Sequence, residues 1–104
     1  MSSDSGQTLA EIRANIDGLD RALVQLLSDR EQLVRQAGRL KANMDAVRAP
    51  DRVEAVIVRV RAVAEELGAS PMVVERTYRS MINAFIDLEL SVHHAATSDS
   101  GPSR

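Results

Sequence analysis

Residues 9–41 have the sequence LAEIRANIDGLDRALVQLLSDREQLVRQAGRLK, and the spacing of its apolar residues decides the fold. These residues follow one another in steps of three and four, which is the spacing of one face of an α-helix. The one gap of seven, from Leu26 to Leu33, has the same spacing if Arg30 is counted as a position on that face. The apolar residues are Leu9, Ile12, Ile16, Leu19, Leu23, Leu26, Leu33, Ala37 and Leu40. No proline interrupts the stretch, and Thr8 is placed to cap its N-terminus. We therefore predict one long amphipathic helix.

Two shorter helices are predicted after the long one. Pro50 suits the first turn of the second helix, and Gly68 suits the left-handed residue that ends it. Ser70-Pro71 then provides an N-cap and a first-turn proline for the third helix, which we expect to fray near the His93-His94 pair. The polar segments 1–7 and 96–104 are predicted to be disordered tails, and residues 8–95 to form a single domain.

The composition excludes several classes of protein. The chain has 104 residues, a net charge of −2, no cysteine and only two aromatic residues, Tyr78 and Phe85. Thiol chemistry and iron–sulfur clusters are therefore excluded, and nucleic acid is not an expected partner because no basic face or base-stacking platform is visible. No apolar run is long enough to cross a membrane, and the polar N-terminus lacks the features of a signal peptide. We expect a soluble, cytoplasmic protein that does not bind membranes.

The length of the first helix predicts a homodimer. A continuous helix over residues 9–41 would span roughly 50 Å, whereas a compact domain of this size has a radius of gyration of about 13 Å. Two shorter helices cannot cover so long an apolar face, but a second copy related by a two-fold axis would cover it. A helical hairpin or coiled-coil fragment that pairs with a different protein is the alternative.

Charged residues interrupt the apolar faces. Arg30 occupies a position on the first helix where the spacing requires a hydrophobic residue. Lys41 follows on nearly the same face, roughly 16 Å further along the axis, whereas Arg13 points about 100° away from Arg30. On the third helix, Glu89 falls at a core-facing position. Taken singly, each of these residues is more often structural, in a buried salt bridge or with its charge reaching solvent.

Taken together, these charges indicate a ligand site. Several inward-facing cations and one inward-facing carboxylate would form a positively charged cavity for a small dianion. Arginine binds a carboxylate through two hydrogen bonds, which fixes the orientation of the ligand. No nucleophile, metal-ligand spacing or glycine-rich phosphate loop accompanies the cations, so we expect neither a metal nor an organic cofactor. The site is predicted to hold its substrate rather than attack it.

Over about residues 8–95 the sequence resembles the all-helical chorismate mutases. The similar segments are LAEIR at 9–13, IDGLD at 16–20, LLSDR at 26–30, GRLK at 38–41, PDRVE at 50–54, AEELG at 64–68, and residues 81–90. The resemblance implies an all-α, three-helix protomer with one long N-terminal helix, and an intertwined homodimer whose two active sites use residues of both chains. It also implies the conversion of chorismate to prephenate in the shikimate pathway, which feeds aromatic amino acid biosynthesis.

The resemblance also implies the roles of four cationic residues. Arg13 would enter the active site of the partner and bind one carboxylate of the substrate, and Arg30 would bind the other. Lys41 would donate a hydrogen bond to the ether oxygen, and Arg52 would support the ring side of the pocket. Catalysis without a covalent step would come from holding the reactive conformer and stabilising charge separation.

Three positions depart from the usual mutase pattern. Val53 stands where many mutases have a glutamate that contacts the C4 hydroxyl, and Glu89 stands where bacterial members commonly have a glutamine beside the ether oxygen. Phe85 replaces a small polar residue found in some members, which implies a tighter and drier pocket. The run APDRV at residues 49–53 is similar to the isochorismate-pyruvate lyase branch of the family. That activity, and a mutase for 4-amino-4-deoxychorismate, are therefore alternatives to the chorismate mutase.

Two further expectations concern Glu89 and a different class of function. Glu89 can donate a hydrogen bond to an ether oxygen only when it is protonated, so turnover is expected to fall as the pH rises. A non-catalytic helical dimer that regulates or scaffolds a partner enzyme is the main alternative outside catalysis. The presence of Arg13, Arg30, Lys41 and Arg52 together argues against it, because a scaffold has no need of inward-facing cations.

Overall fold

The computed structural model describes residues 7–99, with side chains for residues 7–95. Four helices make up the regular structure of this part of the chain: α1 (Leu9–Leu40), α2 (Met44–Arg48), α3 (Pro50–Leu67) and α4 (Pro71–Asp99). The predicted all-α class is confirmed, since residues 7–99 contain no strand. No helix among them is long and apolar enough to cross a membrane. Most of the two predicted tails, residues 1–6 and 100–104, lies outside the described residues.

The chain divides into two units after Leu33, and the first unit contains most of α1. The predicted N-cap is confirmed, because the backbone N–H of Glu11 donates to Thr8 Oγ1 at 3.1 Å. Along this part of α1 the large apolar side chains are exposed, with Leu19 at 66% and Leu26 at 64% of their full accessibility. An exposed apolar face of this length is a candidate surface for contact with another protein.

The second unit begins at Val34 and contains the last turns of α1 together with α2, α3 and α4. Its hydrophobic core lies between α3 and α4, which pack against each other along their lengths. The buried core residues are Val56, Ile57, Val60 and Ile82. The half-buried residues around them are Val53, Val74, Tyr78, Met81 and Ile86. Because α3 contributes three of the four buried residues at helical spacing, its amphipathic pattern accounts for this contact.

The turn between α3 and α4 forms as the sequence predicts. Gly68 has φ +77°, and its backbone N–H bonds to Glu65 O at 3.2 Å, while the N–H of Ala69 bonds to Ala64 O at 2.8 Å. These two bonds satisfy carbonyls that the end of α3 would leave open, and glycine adopts the left-handed conformation without strain. Ser70 then accepts the backbone N–H of Val73 on Oγ at 3.3 Å, so it caps α4 as predicted.

The short helix α2 was not predicted from the sequence. Asn43 caps it by accepting the backbone N–H of Ala46 at 2.9 Å, and Val47 is almost completely buried at 3% exposure. Ala49 ends α2 and begins α3 in a left-handed conformation with φ +34°. Pro50 then occupies the first turn of α3, as its fixed φ favours. A single amphipathic turn of this length is too short to produce a readable periodicity.

The predicted end of α4 was wrong. The helix does not fray at the His93-His94 pair but continues to Asp99. His93 is buried, with 8% of its surface exposed, and its imidazole Nδ1 lies 3.4 Å from the carbonyl oxygen of Gly38 near the end of α1. This tertiary contact lies at the place where the local sequence was expected to let the helix fray.

An ion-pair network on the surface joins α3 to α4. Arg79 on α4 binds both carboxylate oxygens of Glu54 on α3, at 2.9 and 3.0 Å, and donates from Nε to Glu75 at 2.8 Å. Arg61 on α3 donates to the other oxygen of Glu75 at 2.6 Å. The hydrogen bonds from Arg79 hold the pKa of Glu54 below its usual range, and those from Arg79 and Arg61 lower the pKa of Glu75.

Acid is expected to weaken this network before it affects the apolar core. The pKa values of Glu54 and Glu75 are lower in the folded than in the unfolded chain. Their contribution to the stability of the folded chain is therefore fully present at neutral pH. This contribution begins to be lost when the pH falls below about 4.3, the ordinary pKa of a glutamate. The loss is complete once the pH has fallen below the lowered pKa values of the folded chain. We expect Arg79→Gln to lower the melting temperature at pH 7 and to lower it much less at pH 3, as followed by circular dichroism.

The control for this prediction is Arg59→Gln, which removes the same charge from an exposed position on α3. Arg59→Gln should leave the melting temperature at pH 7 close to that of the unchanged protein. The prediction would be contradicted if Arg79→Gln lowered the melting temperature by the same amount at pH 7 and at pH 3.

Candidate active site

The centre of the candidate site is a partly buried ion pair. Lys41 lies directly after the end of α1, and its Nζ donates to Glu89 Oε1 on α4 at 2.8 Å. The side chain of Glu89 is only 6% exposed and that of Lys41 is 29% exposed. Lys41 is also the only lysine of a chain that has 13 basic residues. The sequence predicted both residues for the site, and the structure brings them together.

A glycine makes this approach of α1 and α4 possible. A Cβ atom built on Gly38 would lie 2.8 Å from Glu89 Cγ and 3.4 Å from the backbone oxygen of Glu89. It would also lie 3.7 Å from a methyl carbon of Val92. No side chain larger than hydrogen therefore fits at position 38 without moving Glu89. The glycine sets the distance between the two helices at the level of the ion pair.

Gly38→Ala is expected to disturb the site and Gly18→Ala is expected to leave it intact. In an unobstructed helix, alanine in place of glycine adds about 1 kcal/mol of stability, and this should hold at Gly18, around which nothing lies within 4 Å. At Gly38 that gain is opposed by overpacking, which typically costs about 1–3 kcal/mol. We expect Gly38→Ala to lower both the free energy of unfolding and the turnover rate, as measured by urea denaturation and a substrate assay. Equal stabilisation by the two substitutions would contradict the close approach.

His93 is a buried polar residue of this region that the sequence analysis did not assign to the site. It lies one helical turn after Glu89 on α4, on the same face, and its Nδ1 approaches Gly38 O at 3.4 Å. Its spacing of four from Glu89 was a readable signal. That signal was missed because the helix was expected to end at this point.

Three other predicted site residues lie in the same unit as the ion pair. Arg52 is exposed in the first turn of α3. Val53 is half-buried and packs against the core between α3 and α4. Phe85 is half-buried on α4, one turn before Glu89. The structure therefore gives position 53 an apolar environment, which suits its valine.

The remaining two predicted residues lie in the first unit. Arg13 is exposed and Arg30 is half-buried, and both belong to α1. Their predicted roles as ligands of substrate carboxylates stay predictions. Arg30 is less exposed than the apolar residues on either side of it, since Leu26 and Leu33 are each 64% exposed.

The arrangement of Lys41 and Glu89 suits the stabilisation of charge on an oxygen atom. An ammonium group held in place by a buried partner needs little reorganisation when negative charge develops nearby, and hydrogen bonds of this kind are stronger away from water. A carboxyl group beside it either accepts from the ammonium as an anion or donates a hydrogen bond as a neutral acid. Among the residues that the structure describes, no three His, Asp or Glu side chains are grouped to hold a metal ion.

Comparison with known proteins places these residues in a family. The sequence model of chorismate mutase type II matches residues 12–90. The chain is 38% identical over 78 residues to the isochorismate pyruvate lyase of Pseudomonas aeruginosa, covering 75% of this chain and 77% of that protein. It is 36% identical over 74 residues to the T-protein of Haemophilus influenzae, covering 70% of this chain but only 20% of that protein. The matched range includes Lys41 and Glu89, and the chain belongs to the chorismate mutase type II family.

Proposed function

We propose that this protein catalyses the rearrangement of chorismate to prephenate without a covalent intermediate. The observation that carries the proposal is the contact of 2.8 Å between Lys41, the only lysine, and the buried Glu89 in a member of the chorismate mutase type II family. In this reaction the ether carbon–oxygen bond breaks while a carbon–carbon bond forms within the same molecule. Negative charge grows on the ether oxygen, and the Lys41 ammonium is the group that would stabilise it.

The arginines would hold the substrate in its reactive conformer. Arg30 would bind one carboxylate of the substrate through two hydrogen bonds, and Arg13 of a second chain would bind the other. Arg52, at the exposed start of α3, would contact the ring side of the substrate. Fixing both carboxylates restricts rotation about the ether bonds, and this restriction is a recognised source of rate enhancement in unimolecular reactions.

Glu89 would act on the ether oxygen as a neutral acid. In the structure its carboxylate accepts from Lys41 Nζ, and His93 is the other titratable residue one turn away on α4. A carboxylate close to the ether oxygen would oppose the developing negative charge, whereas a protonated Glu89 would donate a second hydrogen bond to it.

If Glu89 acts in this way, the pH dependence of turnover is expected to change when Glu89 is substituted. We expect kcat/KM to fall as the pH rises, and Glu89→Gln to give a flatter profile, because the glutamine amide is a donor at every pH. The matched control is Glu66→Gln, which removes the same charge from an exposed position on α3 and should keep the original profile. A profile that Glu89→Gln leaves unchanged would contradict this role for Glu89.

A homodimer is part of the proposal. The exposed apolar residues of α1 lie at the seam positions of the sequence pattern, and a second α1 presents a face of the same length and chemistry. They include Leu9, Ile16, Leu19, Leu23, Leu26 and Leu33. Light scattering should then give about twice the chain mass of 11.3 kDa at micromolar concentration. A mass of one chain, from protein that is folded by circular dichroism, would contradict it.

Elimination of pyruvate from isochorismate is the second candidate. Val53 packs against the apolar core and offers no hydrogen-bonding group to a C4 hydroxyl, which chorismate carries and isochorismate lacks. The similarity to the isochorismate pyruvate lyase of Pseudomonas aeruginosa also favours this candidate. A mutase acting on 4-amino-4-deoxychorismate is the third activity compatible with valine at this position.

One experiment separates these activities. The purified protein is incubated separately with chorismate, isochorismate and 4-amino-4-deoxychorismate, and substrate loss and product mass are followed by mass spectrometry. Conversion of chorismate to an isomer of the same mass supports the mutase, and release of pyruvate from isochorismate supports the lyase. No turnover of any of the three by a folded dimer would favour the non-catalytic scaffold.

A further inference from the structure

The side chain of His93 contacts a backbone carbonyl oxygen near the end of α1. Its Nδ1 lies 3.4 Å from the carbonyl oxygen of Gly38, and only 8% of the residue is exposed. A carbonyl oxygen can only accept a hydrogen bond, so the contact is a hydrogen bond when Nδ1 carries the proton. The contact therefore favours the form of this buried imidazole that carries a proton on Nδ1.

The contact lies at the C-terminal end of α1, where backbone carbonyl groups lack partners within the helix. The last four carbonyl groups of an α-helix have no N–H partner within the helix, and Gly38 lies two residues before Leu40, where α1 ends. A donor from another helix can satisfy such a carbonyl. His93 thus performs for α1 the task of a C-terminal cap.

The same turn of α1 carries Lys41 to Glu89. Lys41 follows Gly38 by three residues, and its backbone N–H bonds to Ala37 O at 3.1 Å, so the last turn of α1 continues into it. Glu89 binds the Lys41 ammonium one turn before His93 on α4. Two residues of α4 therefore hold this turn, one at its backbone and the other at its side chain.

We propose that His93 is a positioning residue for Lys41: its hydrogen bond to the Gly38 carbonyl fixes the last turn of α1 and thereby the place of the ammonium group. Its effect on catalysis rests on the proposed function, but its effect on Lys41 does not. His93 lies outside residues 12–90, which the family model matches, so the role is inferred from this structure alone. The backbone contact explains why a polar ring is buried at this position.

The test compares three variants of the full chain. His93→Leu removes the donor with a side chain of similar size, and His93→Asn places an amide N–H close to the position of Nδ1. His94→Leu changes the neighbouring exposed histidine and serves as the control. Because Lys41 is the only lysine, trace acetylation with acetic anhydride followed by peptide mass spectrometry reports on its ammonium group alone among side chains.

If the inference holds, His93→Leu raises the acetylation rate of Lys41 by at least about threefold and lowers kcat by about tenfold, with little change in KM, as the loss of one hydrogen bond implies. His93→Asn should restore both values, and His94→Leu should change neither. Long-range proton–nitrogen spectra of the unchanged protein should show the proton of His93 on Nδ1.

Unchanged acetylation of Lys41 in a folded His93→Leu variant would overturn the inference. The same conclusion follows if His93→Asn behaves like His93→Leu, since packing rather than the donor would then be responsible. Failure of the proposed function has a different signature. The unchanged protein would convert none of the three substrates, while the acetylation pattern and the Nδ1 proton would be as expected.

Discussion

Lys41→Met is expected to reduce kcat by about 100-fold to 1,000-fold, the loss typical of removing one preorganised donor to a developing oxyanion. Methionine keeps the length and apolar character of the side chain and removes the ammonium group. No second lysine exists in the chain to take its place. The measurement is steady-state turnover of whichever substrate the unchanged protein converts.

This substitution also has a structural consequence that must be separated from the catalytic one. Glu89 is 5% exposed, and without Lys41 it would be a buried carboxylate without its counterion. Losing one member of a buried pair typically costs about 3–5 kcal/mol, and the 29% exposure of Lys41 places the expected value at the lower end or below.

A double variant distinguishes the two effects. Lys41→Met combined with Glu89→Gln removes both charges, so most of the lost stability should return in urea denaturation. Turnover should not return, because the donor to the ether oxygen is still missing. Recovery of turnover together with stability would show that Lys41 only supports the fold.

Arg30→Ala is expected to reduce kcat/KM by about 100-fold or more, because two charge-assisted hydrogen bonds to a substrate carboxylate are lost. Arg30 is half-buried on α1 among apolar residues that are more exposed than it is. Arg30→Lys should recover little of the loss, since a lysine cannot bind a carboxylate in the same planar, bidentate manner. The control on the same helix is Arg21→Ala at an exposed position, which should leave kcat/KM nearly unchanged.

Arg30→Leu tests the structural alternative directly. A leucine continues the apolar face of α1 and removes the cost of covering a charge. If Arg30 has no role in binding, Arg30→Leu should raise the melting temperature and keep full activity. That combined outcome would remove Arg30 from the active site. Higher stability with loss of activity would instead be the mark of a functional residue placed in an apolar surface.

The sequence alone determined the long elements of this fold. The three long helices follow from apolar residues at helical spacing, and their bounds follow from residues with one local preference: Thr8 and Ser70 as caps, Pro50 as a first-turn residue and Gly68 as a left-handed stop. Such signals act over a few neighbouring residues, so they can be read without the rest of the molecule.

The sequence also singled out Lys41 and Glu89, because each places a charge where the pattern predicts a buried surface. Their contact was not predictable, since 48 residues separate them and their distance depends on how closely α1 approaches α4. The absence of a Cβ at Gly38 sets that approach, and the steric reason for this glycine is visible only when Glu89 lies against it. In the sequence, Gly38 and Gly18 look alike.

Only the tertiary structure decided the course of the chain beyond His93 and the role of that residue. Local propensity makes a histidine pair before a polar segment a reasonable place for a helix to fray, and α2 is too short for its pattern to be read. The contact between His93 and the Gly38 carbonyl opposes fraying at the histidine pair, and the burial of Val47 favours α2. Local preferences amount to tenths of a kcal/mol per residue, whereas burial and hydrogen bonding contribute about 1 kcal/mol or more at a single position.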